Sequence, residues 1–137
     1  MSKDTFWALI QEAKTACGQD MDAITEHLRD GLLIMGTGAA RQFHNIFQAY
    51  MDLAEPFGLW DAASIIKENG CTLEGFIDFR AWLIAQGKAV YLNALRDPDT
   101  LADVEPYGDC SFESIAYVGN DVYHNLTGQD AYGDLDR

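Results

Sequence analysis

Residues 71–87 read CTLEGFIDFRAWLIAQG, and their pattern decides the fold. Thr72 is a residue type that caps helix N-termini, and Gly87 is a natural stop, so the spacing predicts a helix over 72–86. On a helical wheel Leu73, Phe76, Ile77, Leu83 and Ile84 fall on one side, and Phe79 and Trp82 turn toward the other. A helix apolar nearly all round belongs in the middle of a domain. Glu74 falls in its first turn, where the helix dipole favours a negative charge. Arg80 lies near the centre of the Leu73–Ile77–Ile84 stripe. A guanidinium cannot stay there unpaired. Either a carboxylate and backbone carbonyls hold it, or its tip reaches water or the anion of a ligand. Asp61, next to Trp60, is the first candidate partner and Asp52 the second.

The flanking sequence is helical in the same way. Asp4 is a plausible N-cap for a helix burying Phe6, Leu9, Ile10, Ala13 and Cys17, with Gly18 as its end. Asp20 or Asp22 opens a second, with Met21, Ile24, Leu28, Leu32 and Met35 on its stripe. Gly36-Thr37-Gly38 breaks it, and Thr37 can cap a third, whose stripe is Phe43, Ile46, Phe47, Tyr50 and Ala54. A helix over Leu59–Asn69 precedes the central one. Lys88–Arg96 follows it, and Leu101–Val104 has room for a short turn. Ser111 can cap a last helix with Phe112, Ile115, Ala116, Val122, Tyr123 and Leu126 on one face and Gly128 at its end. No segment alternates with a period of two, and no hairpin signal occurs. The expected fold class is all-α: a single compact bundle of six or seven helices around the buried helix 72–86. The expected domain covers residues 1–128, with a flexible acidic tail over 129–137.

Charge is the chain's other strong signal. Twenty-two acids against nine Lys and Arg leave a formal net charge of −13. From Asp97 to Asp136 there are ten acids and no Lys or Arg. Such a surface repels nucleic acid and anionic membranes and attracts a basic protein partner. The longest apolar run, 31–40, is too short and glycine-rich to span a bilayer, and MSKDTFWALI lacks the regions of a signal peptide. A cytoplasmic location is expected. Cys17, Cys71 and Cys110 are odd in number and widely spaced, as reduced thiols are rather than a disulfide framework.

The usual chemistries find little support. His27, His44 and His124 are far apart and fit no zinc or iron template. As single histidines on amphipathic helices they are expected at the surface or boundary. Asp97, Asp99, Asp103 and Glu105 fail the calcium-loop pattern. Gly36-Thr37-Gly38 lacks the Lys-Ser/Thr of a phosphate loop and its preceding strand. Cys71 and Cys110 each precede a helix cap, where a thiol's pKa can fall, but no histidine is near either in sequence. No metal and no cofactor are expected.

Several segments together resemble a known family. They are Phe6-Trp7-x-Leu9-Ile10, Leu59-Trp60-x-Ala62-Ala63, Gly70-Cys71, and Gly75-Phe76-x-x-Phe79-Arg80-x-Trp82-Leu83-Ile84-x-x-Gly87. Asp97-Pro98-Asp99-x-Leu101-Ala102 and the region Tyr123 to Gly128 also fit. They look like the bacterial domain-of-unknown-function family 4240, over nearly the whole chain. One departure stands out. After Gly-Cys the family pattern is Ser-Asp-Asp, whereas this chain has Thr72-Leu73-Glu74, which keeps the cap and the second acid and loses the first. The resemblance implies a helical bacterial domain and supplies no reaction, cofactor or substrate. Its motif residues are mainly aromatic, glycine and aliphatic, as packing and helix breaks require.

Two functions compete on this reading. The first is a non-enzymatic, acidic protein-interaction module, in its sharper form an immunity or regulatory protein, since electrostatic complementarity speeds association with a basic partner. The alternative is an enzyme or small-molecule binder with a polar cluster at Trp60, Asp61, Cys71, Glu74, Arg80 and Trp82. The balance leans away from an enzyme. Mimicry of nucleic acid by the acidic face ranks last. No heptad run is long enough to specify a coiled-coil oligomer.

Overall fold

The computed structural model describes residues 1–18, 20–54, 73–97, 100 and 112–131, with only the backbone of 73, 74 and 113. These residues form α1 (Lys3–Cys17), α2 (Met21–Met35), α3 (Thr37–Ala54), α4 (Leu73–Ala85), α5 (Lys88–Arg96) and α6 (Glu113–Thr127). The architecture is an all-α bundle, with no strand among the described residues. The helix read over Leu59–Asn69 and the turn at Leu101–Val104 lie outside them.

Most helix boundaries follow from caps and glycines, with corrections at three starts. Ser2, not Asp4, caps α1: its backbone is extended and its Oγ accepts from Thr5 N at 3.1 Å. Asp4 is already inside the first turn, where its charge meets the positive end of the dipole. Asp20 caps α2 by accepting from Ala23 N at 3.1 Å. Gly36, at φ 100°, then serves both neighbours. Its N–H closes α2 on Leu32 O at 2.9 Å, and its carbonyl takes the first bond of α3 from Ala40 N at 3.1 Å. Thr37 is therefore the first residue of α3 and not its cap. At the last helix Phe112 occupies the N-cap position with no side-chain bond, and its N–H donates to Asp78 O at 3.2 Å. That bond ties the start of α6 to α4. Ser111 lies outside the described residues.

α4 sits at the centre, packed against α3, α5 and α6. Phe76, Phe79, Arg80, Ala81, Trp82, Leu83 and Ile84 are all buried along it. Ile77, expected on its buried stripe, is partly exposed. Apolar character all round a helix does not determine which direction faces out. Met35 and Leu126, also read as buried, are exposed too, each in the last turn of its helix.

A second centre is aromatic. Phe6 and Trp7 of α1, Phe43, Phe47 and Tyr50 of α3, and Tyr91 of α5 stack in a chain of ring contacts 4.9–6.3 Å apart. Helices α3 and α6 pack closely. A Cβ built on Gly119 would lie 2.9 Å from Ala40 O, His44 N and His44 Cβ. The two backbones approach this closely because Gly119 has no side chain.

Past α6 the chain turns back through Gly128 in the left-handed conformation. Ala131 is buried, and its N–H donates to Asn120 Oδ1 at 2.7 Å. Residues 132–137 of the expected tail are outside the described set. No helix among the described residues is long and apolar enough to cross a membrane.

Candidate functional site

Arg80 is the cation that the central helix forces into the core, and it is only 7% exposed. Its Nη1 donates to the carbonyl of Met51 at 2.7 Å, and its Cζ lies 4.8 Å from the centre of the Phe76 ring. Met51 is in the last turn of α3, which ends at Ala54. Carbonyls there have no donor within the helix and carry the negative end of its dipole. Among the described residues, a helix end and an aromatic face meet the guanidinium. No carboxylate forms an ion pair with it among the described residues. Asp52, the second candidate partner, is exposed. The reason is geometric: the Met51 carbonyl points along the axis toward α4, whereas the Asp52 side chain projects outward. Asp61 lies outside the described residues. The Nε of Arg80 has no hydrogen-bond partner among them.

Neighbouring side chains extend this seam. Tyr91 donates its hydroxyl to Tyr50 O at 2.6 Å, one residue before Met51. The Trp7 indole N–H donates to the Tyr50 hydroxyl at 3.1 Å. Burial, and next the neighbouring Tyr50, push the Tyr91 hydroxyl well above its ordinary pKa, while Arg80 partly opposes them. Tyr91 therefore stays protonated and keeps its role as donor. Just past the C-terminal end of α4, Lys14 donates to Gln86 O at 2.7 Å. Burial lowers the pKa of that lysine.

Of the six residues read as a polar cluster, Arg80 and Trp82 are placed in the core. Trp82 stacks on Phe79 at 5.7 Å. Glu74 is described by its backbone alone, in the first turn of α4. Trp60, Asp61 and Cys71 are outside the described residues, as is Cys110; Cys17 is half-buried. Sequence reading missed Met51, Tyr50, Tyr91 and Trp7 as members of the Arg80 seam. Two tyrosines on apolar helix faces were an available signal, because a buried hydroxyl needs an acceptor. The backbone acceptors themselves carry no sequence signature.

The histidines do not converge. His27 pairs with Glu12 and His124 with Asp130, each at 3.2 Å. His44 was expected at the surface or boundary, yet it is 1% exposed. The close α3–α6 contact made possible by Gly119 encloses it. Burial lowers its pKa, with Asp121 acting the other way.

Among the described residues two shallow grooves open outside the core. A groove of about 530 Å³ runs between α1 and α5 past Trp7, Gln11 and Leu92, and another of about 290 Å³ lies by His124 and Asp130. Asp22, Glu26 and Asp30 are exposed on α2. Several cations are already engaged. Lys14 and Arg80 serve backbone carbonyls, Arg29 lies 3.7 Å from Glu26 and 3.8 Å from Asp121, and Lys88 lies 4.0 Å from Asp4.

These features define an all-α bundle in which Arg80, the buried arginine among the described residues, is seated on a helix terminus. The chain belongs to a family described as proteins of unknown function, DUF4240, whose family model matches residues 1–125. No curated protein and no solved structure matches it. Several segments that carried the resemblance fall in the core: Phe6, Trp7, Phe76, Phe79, Arg80, Trp82, Leu83 and Ile84 are buried. In the described part of the chain, those segments build the fold.

Proposed function

We propose that this protein is a non-enzymatic, acidic interaction module that binds a basic protein in the cytoplasm, as an immunity or regulatory protein does. The observation that carries this reading is the disposition of charge. The chain has a net charge of −13, and Lys14, Arg29, Arg80 and Lys88 are already committed to intramolecular partners. The field of the exposed acids is correspondingly weakly offset, and such a field steers an oppositely charged partner. Affinity capture of the tagged protein from its native host at low and high salt tests the reading. A basic protein recovered in stoichiometric amount at low salt and depleted at high salt supports it. Recovery of the protein alone removes its support.

One observation favours a second reading, a small anionic ligand near Trp60, Asp61, Cys71, Arg80 and Trp82. The buried Nε of Arg80 has no acceptor among the described residues. A thermal-shift screen of small carboxylates and phosphates separates the two. Stabilisation that disappears in Arg80→Lys favours the ligand, because lysine lacks the planar fork. No stabilisation by any anion leaves Arg80 as a structural residue.

A further inference from the structure

Apart from the Glu26–Arg29 pair at 3.7 Å, the outward face of α2 combines two features that the fold does not use among the described residues. Asp22, Glu26, Asp30 and Ile34 recur every four residues, and Leu33 lies beside them, so all five share one side of the helix. The opposite side, Ile24, Thr25, Leu28 and Leu32, is buried. The three acids are exposed. Ile34 is 88% exposed, and Leu33 and Met35 are 36% and 46% exposed. Isolated exposed apolar residues are ordinary. Leu33 and Ile34, side by side at the end of an acidic line, are different, because α2 is already closed by Asp20 and Gly36 and its end needs no apolar cover. Asp22 and Asp30 have no ion-pair partner among the described residues, and Asp121 of α6 adds a further acid beside Arg29.

We infer that this face is the docking surface for a basic partner that also presents an apolar side chain to cover Ile34. The inference rests on the interaction reading above and names its surface. Charge selects the occupant. A second copy of the chain carries a net charge of −13 itself and would set the same acids against Asp22, Glu26 and Asp30, whereas Lys or Arg would meet them with opposite charge.

Two helix-forming synthetic peptides of equal length and equal positive charge test it, one of lysine and leucine, the other of lysine and serine. Each is titrated by fluorescence anisotropy into the full-length protein at low salt. The leucine peptide is expected to bind about tenfold tighter, the scale of one apolar side chain removed from water. Ile34→Ser erases that preference and leaves the serine peptide's Kd unchanged. Glu26→Lys with Asp30→Lys weakens both peptides by about tenfold or more, whereas Asp52→Lys with Asp97→Lys changes either by less than about threefold. Circular dichroism melts check that each variant folds.

If the preference survives Ile34→Ser, or both charge reversals act alike, α2 is not the surface, while a diffuse acidic interaction stands. If the wild type binds neither peptide, the α2 surface and the charge argument of the interaction reading fall together. A dimer that Ile34→Ser dissociates in sedimentation would assign the face to a second copy and overturn the inference.

Discussion

Replacing Gly119 by alanine tests the packing of the bundle most sharply, because local and tertiary effects oppose each other. Within a helix, alanine is favoured over glycine by about 0.5–1 kcal/mol. At Gly119 the added Cβ would sit 2.9 Å from Ala40 O, His44 N and His44 Cβ. Two of these atoms are backbone of α3, so no side chain can rotate away. Relief requires α3 and α6 to part by several tenths of an ångström where Gly119 meets Ala40 and His44. Overpacking of this kind costs about 1–3 kcal/mol. After the propensity gain, a net loss of about 1–2 kcal/mol is expected. Gly31 is the control. It lies within α2 with nothing within 4 Å of an added Cβ, so Gly31→Ala should stabilise by about 0.5–1 kcal/mol. Urea denaturation reads both. With a slope of about 2 kcal/mol per molar, Gly119→Ala lowers the midpoint by about 0.5–1 M and Gly31→Ala raises it. A Gly119→Ala midpoint at or above wild type would refute the close α3–α6 contact.

Three further outcomes follow from the core polar groups. Arg80→Ala removes the charge-assisted bond to Met51 O and the Phe76 contact, and should lower stability by about 2–4 kcal/mol in urea melts; an unchanged midpoint would show that Arg80 is not structural. Tyr91→Phe loses the bond to Tyr50 O and should cost about 1 kcal/mol, read the same way. His44 contributes to acid sensitivity. Its folded pKa lies below that of a free imidazole, so its contribution is complete above about pH 6.5 and is lost as the pH falls through the folded value. The urea midpoint should decline from about pH 6.5 downward, and His44→Gln should decline less steeply; parallel slopes would rule out His44 as the cause.

The main course of the fold was legible in the chain. Residues 73–85 have too much apolar surface for a peripheral helix, and Gly36 and Gly87 stop helices by adopting positive φ, at 100° and 106°. The need of Arg80 for a partner was legible too, because an unpaired guanidinium cannot be buried. The carbonyl that receives it was not, since every residue has a carbonyl and only the docking of α4 on the end of α3 selects that of Met51; Asp61 lies outside the described residues. Ser2 and Asp4 are both good caps, and the choice depends on where the backbone leaves the extended region. His44 and Gly119 hid for a related reason. Their environment arises where two helices distant in sequence approach, and neither residue type announces which face will meet another backbone.

The central claim is that surface charge, not the buried Arg80 seam, carries the function. Its most direct test is the association rate of the captured partner as a function of ionic strength, followed by stopped-flow fluorescence. The rate constant is expected to fall steeply as salt rises while dissociation changes little. An association rate independent of salt would contradict it.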